Sequence, residues 1–184
     1  QRLKMMIAHL LGNGNSNKFY KKTQGTVYAC NWPTHDFVYD YLCMIDGLAI
    51  KYIHNNHITP KVPILCTQNV KEYAIRKQLD WDVRSVFTTT NRPRFNSGHH
   101  AVKYICEQKP LGIHLWGMDS MYSKDLSSQM DEHVPRKNRP PLNNQWHPHW
   151  IELITANPNI LFTVHIPKGE SLSVKAKNLQ AENH

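Results

Sequence analysis

The sequence predicts an α/β fold, a three-layer Rossmann-like sandwich with a mostly parallel sheet and a small irregular lid. Short, nearly continuous apolar segments such as LGIHLWGMD (111–119) end in glycine or polar residues, which is typical of buried parallel strands. Segments with apolar residues at helical spacing alternate with them. The chain has 184 residues, 40% of them hydrophobic and 20% charged, which is enough for one domain with a real core.

The apolar segments predict seven strands. Gly12 and Pro33 end the first two, and Pro63 places the fourth near a sheet edge or at a strand start. In chain order the predicted strands are residues 4–11, 25–32, 41–46, 61–67, 84–90, 111–119 and 159–167.

Four helices are predicted between the strands. In the second, the spacing turns Val70, Tyr73 and Ala74 inward, together with Ile75 and Leu79. The third can be capped by Asn96 or Ser97 and is stopped by Pro110. In chain order the predicted helices are residues 47–56, 69–79, 96–110 and 147–157.

The pattern predicts a single α/β domain over residues 1–168, followed by a polar, frayed tail over residues 169–184. Residues 120–145 are polar, have no clear period and contain the basic segment 135–141, which together with Lys124 gives this region positive charge. Long irregular segments in compact domains often serve as lids or binding loops. We therefore expect a lid inserted at about residues 120–145.

The net charge indicates which classes of partner the protein binds, and the cysteines indicate its cellular compartment. The net charge of +8 with neutral histidines favours a nucleotide, a nucleic acid or an anionic glycan as partner. The cysteines form no CxxC pair and are expected to be buried, reduced thiols of a cytoplasmic protein. No apolar segment approaches the ~18 residues of a membrane span, so any membrane contact would be peripheral, at the inner surface. The cysteines are Cys30, Cys43, Cys66 and Cys106.

Four predicted turns carry polar residues or glycines where a ligand would bind. In a parallel sheet, ligands bind at the carboxyl ends of the strands. Glycines in such a turn let the backbone approach a phosphate, and helix-starting amides can hold an anion. An ordinary turn is the alternative for each of them alone, and Asp119 could equally be a helix N-cap. The four groups are Gly12, Gly14 and Ser16; Asn31; Ser97 and Gly98; and Gly117 and Asp119.

Three ordered blocks resemble the bacterial lipo-oligosaccharide sialyltransferases. IAHLLGNGNS (7–16) is similar to their first strand and its Gly-Asn-Gly-Pro-Ser turn, with Asn15 in place of proline. GTVYACNW (25–32) resembles their second strand. Residues 96–122 resemble their Ser-Gly helix and the strand that ends Gly-x-Asp-x-x-Tyr. The resemblance implies a Rossmann-like glycosyltransferase that uses a CMP-activated sugar and needs neither a metal nor another cofactor.

Carried over by position, the resemblance implies roles for individual residues. Asn31 would contact the nucleotide, Ser97 and Gly98 the cytidine or phosphate side, and Tyr122 would be a lid hydroxyl that stabilises the leaving phosphate. Asp119 would support the nucleotide site or contact the acceptor. The phosphate and ribose would be held by Gly12, Asn13, Gly14 and Ser16.

The family uses a histidine as general base, and histidine suits proton transfer near neutral pH. WHPHW (146–150) supplies His147 as first candidate and His149 as second, the alternative being two surface residues at a helix start. His99 and His100 could contact a ligand but fit a plain first-turn position better. The Asp80–Asp82 pair imitates a metal-binding D-x-D motif yet follows a predicted helix, so no metal site is predicted there.

The leading hypothesis is transfer of a sialic-acid-like sugar from a CMP-activated donor to a hydroxyl of a glycan or another acceptor. The alternatives are a non-catalytic nucleotide-binding module and a basic nucleic-acid-associated protein of the same fold. A methyltransferase using S-adenosylmethionine is weaker, because Asn31 and Trp32 stand where that cofactor needs an acidic residue. Oligomer formation is compatible with each hypothesis.

Overall fold

The computed structural model describes residues 7–33, 35–88, 90–123 and 143–184. Its core is a sheet of eight strands, and every neighbouring pair is parallel. The α/β class predicted from the sequence is therefore confirmed. The strands are β1 (Ile7–Leu11), β2 (Thr26–Cys30), β3 (Tyr41–Met44), β4 (Ile64–Cys66), β5 (Val83–Ser85), β6 (Gly112–Trp116), β7 (Leu161–Ile166) and β8 (Leu179–Asn183).

The strand order β5-β4-β3-β2-β1-β6-β7-β8 places a topological switch point at the centre of the sheet. The chain builds outward from β1 to β5 and then returns to the other side of β1 with β6. The direction in which strands are added to the sheet thus reverses between β1 and β6, whose carboxyl ends, Leu11 and Trp116, pair in register. Such a point is where open α/β sheets form a ligand crevice.

Helices flank both faces of the sheet. α3 and α4 pack with one apolar cluster that includes Leu10, Leu115 and Trp150, whereas α1 and α2 pack with a second cluster that includes Leu42 and Ile50. Alternate residues of each strand feed the two clusters, as the period of two requires. The helices are α1 (Gly47–Asn55), α2 (Gln68–Arg76), α3 (Ser97–Glu107) and α4 (Asn143–Thr155), with 3-10 helices at Asn15–Phe19 and Asp119–Met121.

Strict alternation of strands and helices was not found. A 3-10 helix joins β1 to β2, and the described residues between β2 and β3 contain no helix. Instead, Asn31 N donates to Cys43 O over 2.8 Å, and Asp40 N donates to Val27 O over 2.8 Å. These bonds let two parallel neighbours be joined by a short irregular connection.

The predicted frayed tail is wrong over residues 179–183, which form β8 against β7. The connection before it is fixed by Asn178, whose Nδ2 donates to the carbonyls of Ile154, Asn157 and Ile160. One amide therefore satisfies acceptors at the end of α4 and at the approach to β7. The polar sequence of β8 suits an edge strand, where most side chains stay exposed.

All four cysteines are free and buried, as predicted. Burial raises the pKa values of Cys30, Cys66 and Cys106 to about 12, so these thiols stay protonated and inert. Among the described residues, no helix is both long enough and apolar enough to cross a bilayer. The lid predicted at about 120–145 falls mainly on residues 124–142, outside those described.

The turns after β1 and β6 approach each other too closely for side chains. A Cβ on Gly12 would lie 2.6 Å from Gly117 O, and a Cβ on Gly14 would meet that same oxygen at 2.6 Å as well as the Asp119 carboxyl. Gly117 itself has a φ of 71°, which favours glycine. The two glycines in the β1 turn are therefore required by backbone packing at the switch point.

Replacing Gly14 with alanine should destabilise the protein, because neither the Gly117 carbonyl nor the buried Asp119 carboxyl can move away cheaply. We expect a loss of about 1–3 kcal/mol in the free energy of unfolding, measured by denaturant titration. Gly47→Ala is the matched control, since its Cβ would meet only the flexible end of Lys51. Equal stability of the two variants would contradict this account of the turn.

Candidate functional site

The β1 turn is bonded to the β6 turn through its backbone. Gly12 N donates to Trp116 O over 2.7 Å, and Gly14 N donates to Gly117 O over 2.9 Å. Both amides are therefore committed to the protein. They hold the ends of β1 and β6 together instead of facing a ligand.

Asp119 takes the next donors of the same turn. Its carboxylate accepts from Asn15 N at 2.7 Å, from Ser16 N at 3.2 Å and from the Ser16 hydroxyl. The residue is 9% exposed. This carboxylate thus lies where a phosphate would lie in a phosphate-binding turn, and it acts as the built-in anion of the turn. A ligand phosphate would need other donors.

Asn17, which the sequence analysis did not single out, completes the turn. It is fully buried, and its Nδ2 donates to Gly12 O over 3.0 Å. Its position in the polar segment NGNSN carries no signal that separates it from its exposed neighbour Asn15. This bond joins the end of the turn to its first glycine, Gly12, and so stabilises the turn.

Asn13 and Asn31 lie together beside this turn. Asn13 is 8% exposed, and its Nδ2 donates to Cys30 O over 2.9 Å, at the carboxyl end of β2. Its Oδ1 is buried and has no hydrogen-bond partner among the described residues. Asn31 follows Cys30 with a φ of 56°, a left-handed conformation that asparagine tolerates. A buried acceptor without a donor is costly unless a ligand or water supplies one.

The N-terminus of α3 reaches the same place. Ser97 Oγ donates to Asn31 Oδ1 over 3.4 Å, and a Cβ on Gly98 would lie 3.5 Å from Met118, just after β6. Asn96 and His99 form a reciprocal capping box, which makes Ser97 the first residue of the helix. The first-turn amides and the positive end of the helix dipole therefore lie near the switch point, where they favour an anion.

Tyr122 closes the site from the β6 side. Its half-buried hydroxyl interacts with the side chains of Ser16 and Asp119. Burial, together with the negative charge of Asp119, raises the pKa of Tyr122 above its usual value, so the phenol stays protonated and can donate. The structure thus brings Tyr122 to the β1 turn.

The structure separates the two candidate bases. His147 Nε2 lies 2.6 Å from Ser120 O, and His149 Nε2 lies 2.9 Å from Pro93 O. Because a carbonyl only accepts, both bonds fix the Nε2–H tautomer and leave Nδ1 as the basic nitrogen of a neutral ring. His147 is thereby tied to the 3-10 helix Asp119–Met121, whereas His149 packs towards the loop before α3.

His99 and His100 pack against aromatic rings at the start of α3. His99 Nδ1 accepts from Asn96 N over 3.0 Å, and its buried ring lies 4.6 Å from that of Trp150. His100 stacks on Phe87 and meets Phe95 edge to face. Neither histidine joins the group at the switch point, which agrees with the plain first-turn interpretation.

The site therefore contains Asn13, Asn31, Ser97, Tyr122 and His147 around a turn anchored by Asp119. Gly12, Gly14 and Ser16 belong to the anchor itself. The basic segment 135–141 and Lys124, predicted to attract an anionic ligand, lie outside the described residues. In the D-x-D pair, Asp82 binds the Arg84 guanidinium at 2.8 Å, which gives this carboxylate a structural partner.

Comparisons with known proteins leave the family open. No family model matches the chain, and neither a curated protein nor a solved structure matches it significantly. The functional argument therefore depends on the geometry of the site.

Protonation of His100 should destabilise the protein in acid. Burial lowers the pKa of His100 to about 4, with Lys103 adding repulsion, whereas the unfolded chain titrates near 6.5. Because the unfolded state binds the proton first, stability falls as the pH drops from about 6.5 to 4. This residue alone should account for a loss of about 2 kcal/mol between pH 7 and pH 5.

The test compares the wild type with His100→Gln by denaturant titration at both pH values. Glutamine removes the titration but keeps a polar side chain of similar length. The drop in the free energy of unfolding between pH 7 and pH 5 should be smaller in the variant by about 2 kcal/mol. Parallel pH dependence of the two proteins would show that His100 does not contribute to acid sensitivity.

Proposed function

We propose that this protein is a glycosyltransferase that moves a sialic-acid-like sugar from a CMP-activated donor to a hydroxyl acceptor. The observation that carries the proposal is the bond of His147 to Ser120, the neighbour in sequence of Asp119, which anchors the β1 turn. In this proposal the basic ring nitrogen of His147, the phenol of Tyr122 and the N-terminus of α3 act together. These are the groups that transfer from a nucleotide sugar to a hydroxyl requires.

We assign recognition of the CMP-activated sugar to polar groups around the β1 turn that are not already bonded within it. The negative nucleotide phosphate would be met by Ser97 and by the first amides of α3. The unpartnered Oδ1 of Asn13 would accept from a ribose hydroxyl or a base amino group. Asn31, which is bonded to Ser97, would contact the part of the nucleotide that lies between Ser97 and Asn13. Phosphate binding by the β1 turn is not part of the proposal, because four amides of residues 12–16 already donate to Trp116, Gly117 and Asp119.

The reaction needs one base and one donor at the leaving group. The hydroxyl oxygen of the acceptor attacks the anomeric carbon of the sugar, and the hydroxyl proton passes to Nδ1 of His147. The bond between that carbon and the CMP phosphate breaks, and the electron pair leaves with the phosphate. The Tyr122 hydroxyl would turn its single proton from Asp119 to the departing oxygen and stabilise the charge there. Asp119 keeps Tyr122 and the β1 turn in position.

Removing the nucleotide contacts should weaken CMP binding without unfolding the protein. Ser97→Ala and Asn31→Gly should each raise the Kd for CMP about tenfold, the value of one lost hydrogen bond. Glycine is chosen at position 31 because it tolerates the left-handed φ. Isothermal titration calorimetry would measure the affinities.

Ser85→Ala, at an exposed position on β5, is the matched control and should leave the CMP affinity unchanged. Wild-type affinity in both site variants would remove the nucleotide site from the switch point. Binding of a short DNA that weakens steeply with salt, without CMP binding, would instead favour the basic nucleic-acid-associated alternative, which the net charge of +8 also fits.

Removing the base should stop turnover but spare the nucleotide site. His147→Gln should lower kcat about 10²- to 10⁴-fold with CMP-sialic acid and a glycan acceptor, while the Kd for CMP stays constant. CMP release is the measurement. His149→Gln is the control and should keep near-normal kcat, since His149 bonds to Pro93 away from the site. Normal turnover in His147→Gln would assign the base elsewhere.

A further inference from the structure

A row of histidines crosses the sheet on the face opposite to α3 and α4. His9 of β1 and His114 of β6 are paired in register, and their rings stack with centroids 5.1 Å apart. His165 of β7 pairs in register with Glu182 of β8. Parallel strands repeat each position at the same height, so side chains far apart in sequence form one continuous cluster.

Hydrogen bonds join the imidazoles directly to one another. His114 Nδ1 lies 2.8 Å from His165 Nε2, and His165 Nδ1 lies 2.7 Å from His184 Nε2. Burial lowers the pKa of His165 to about 3, with the neighbouring histidines opposing its charge, so the ring is neutral at pH 7. A neutral imidazole is the form that ligates a metal ion.

Aromatic side chains hold the cluster in place. The Trp116 indole stacks on His165 with centroids 3.3 Å apart and ring planes at 4°. Phe19, from the first 3-10 helix, stacks on His184 at 5.0 Å. The rings are therefore oriented before any ligand arrives. Access remains from the β8 side, where the Glu182 side chain is 55% exposed.

His9 is excluded as a ligand by its bonds. Its Nδ1 accepts from Trp116 Nε1 over 3.2 Å, which places the proton on Nε2. That nitrogen meets Thr23 Oγ1 at 2.8 Å and Gln24 O at 3.2 Å. Both ring nitrogens of His9 are thus bonded to groups outside the proposed ligand set, and the ring supports His114 by stacking on it.

His114, His165 and Glu182 have the spacing of a metal site. One ligand atom from each of His114, His165 and Glu182 lies within 4.8 Å of the others. A tetrahedral Zn²⁺ with bonds of about 2.0–2.1 Å keeps its ligand atoms roughly 3.3 Å apart. The observed 2.8 Å between the two histidines needs to open by roughly half an ångström, and the exposed Glu182 side chain can rotate inward.

We propose that His114, His165 and Glu182 bind a divalent transition metal ion, with Zn²⁺ as the preferred ion. Two imidazoles and one carboxylate form a donor set that Zn²⁺ takes readily, leaving a further position for water or another ligand. Glu182 Oε2 lies 3.9 Å from His165 Nδ1, so the carboxylate must swing towards Nε2 to share the ion, while Nδ1 keeps its bond to the positioning residue His184.

The site would connect three neighbouring strands, β6, β7 and β8. It lies on the opposite face from Ser97 and His147 and does not rest on the proposed glycosyltransferase function. The sequence carries no motif for it, because the ligands are 51 and 17 residues apart along the chain. Parallel strand pairing brings them together, because Glu182 pairs with His165 and His114 pairs with Thr163, two positions before His165.

The test uses the full chain without a polyhistidine tag, and Zn²⁺ and Co²⁺ as probes. Calorimetric titration should give one bound Zn²⁺ per chain, and Co²⁺ should show the absorption bands of a low-coordinate ion. Glu182→Gln should raise the Kd for Zn²⁺ at least about tenfold, and His114→Gln should do the same. Bound Zn²⁺ should also raise the Tm, because it stabilises only the folded state.

Glu72→Gln and His35→Gln are the matched controls at exposed positions away from the cluster, and both should bind Zn²⁺ like the wild type. Glu182→Gln keeps the test decisive should His114→Gln fail to fold, since residue 182 is exposed on an edge strand. Absence of saturable binding to the wild type would overturn the proposal. Equal Zn²⁺ affinity of Glu182→Gln and Glu72→Gln would overturn it as well.

Discussion

The close approach of the β1 and β6 turns is the constraint on which the candidate site depends. The chain leaves β1, builds four further strands and returns to pair β6 with β1, so residues about a hundred positions apart must meet without gaps. Glycines at positions 12, 14 and 117 allow the backbones to touch. Asp119 then binds two amides and one hydroxyl of the first turn, and this converts a strand end into a rigid platform.

This constraint changes the meaning of the Gly-Asn-Gly-Asn-Ser segment. A glycine-rich turn after a first strand is typical of phosphate binding, because it offers backbone amides to an anion. Here an internal carboxylate and the carbonyls of Trp116 and Gly117 accept from those amides. The polar groups that remain come from other strand ends and helix starts, chiefly Asn13, Asn31 and Ser97. Ligand recognition is thereby moved from the turn to the residues that surround it.

The sequence predicted what depends on local pattern and failed where distant contacts decide. Apolar segments and helical spacing located seven strands and four helices, and Val70, Tyr73 and Ala74 are buried as predicted. Ile75, also expected inward, is 62% exposed. β8 was missed because a polar edge strand has no apolar alternation to detect. The role of Asp119 in the turn, and the separation of His147 from His149, depend on hydrogen bonds across 27 to 104 residues.

Trp116, at the carboxyl end of β6, contacts both the β1 turn and the histidine cluster. Its carbonyl accepts from Gly12 N at the switch point, while its indole stacks on His165 and donates to His9 on the opposite face. Backbone and side chain of the same residue are therefore fixed by different partners. A displacement of Trp116 would disturb the β1 turn and the histidine cluster together. The two proposed sites are chemically independent, yet they share this one mechanical support.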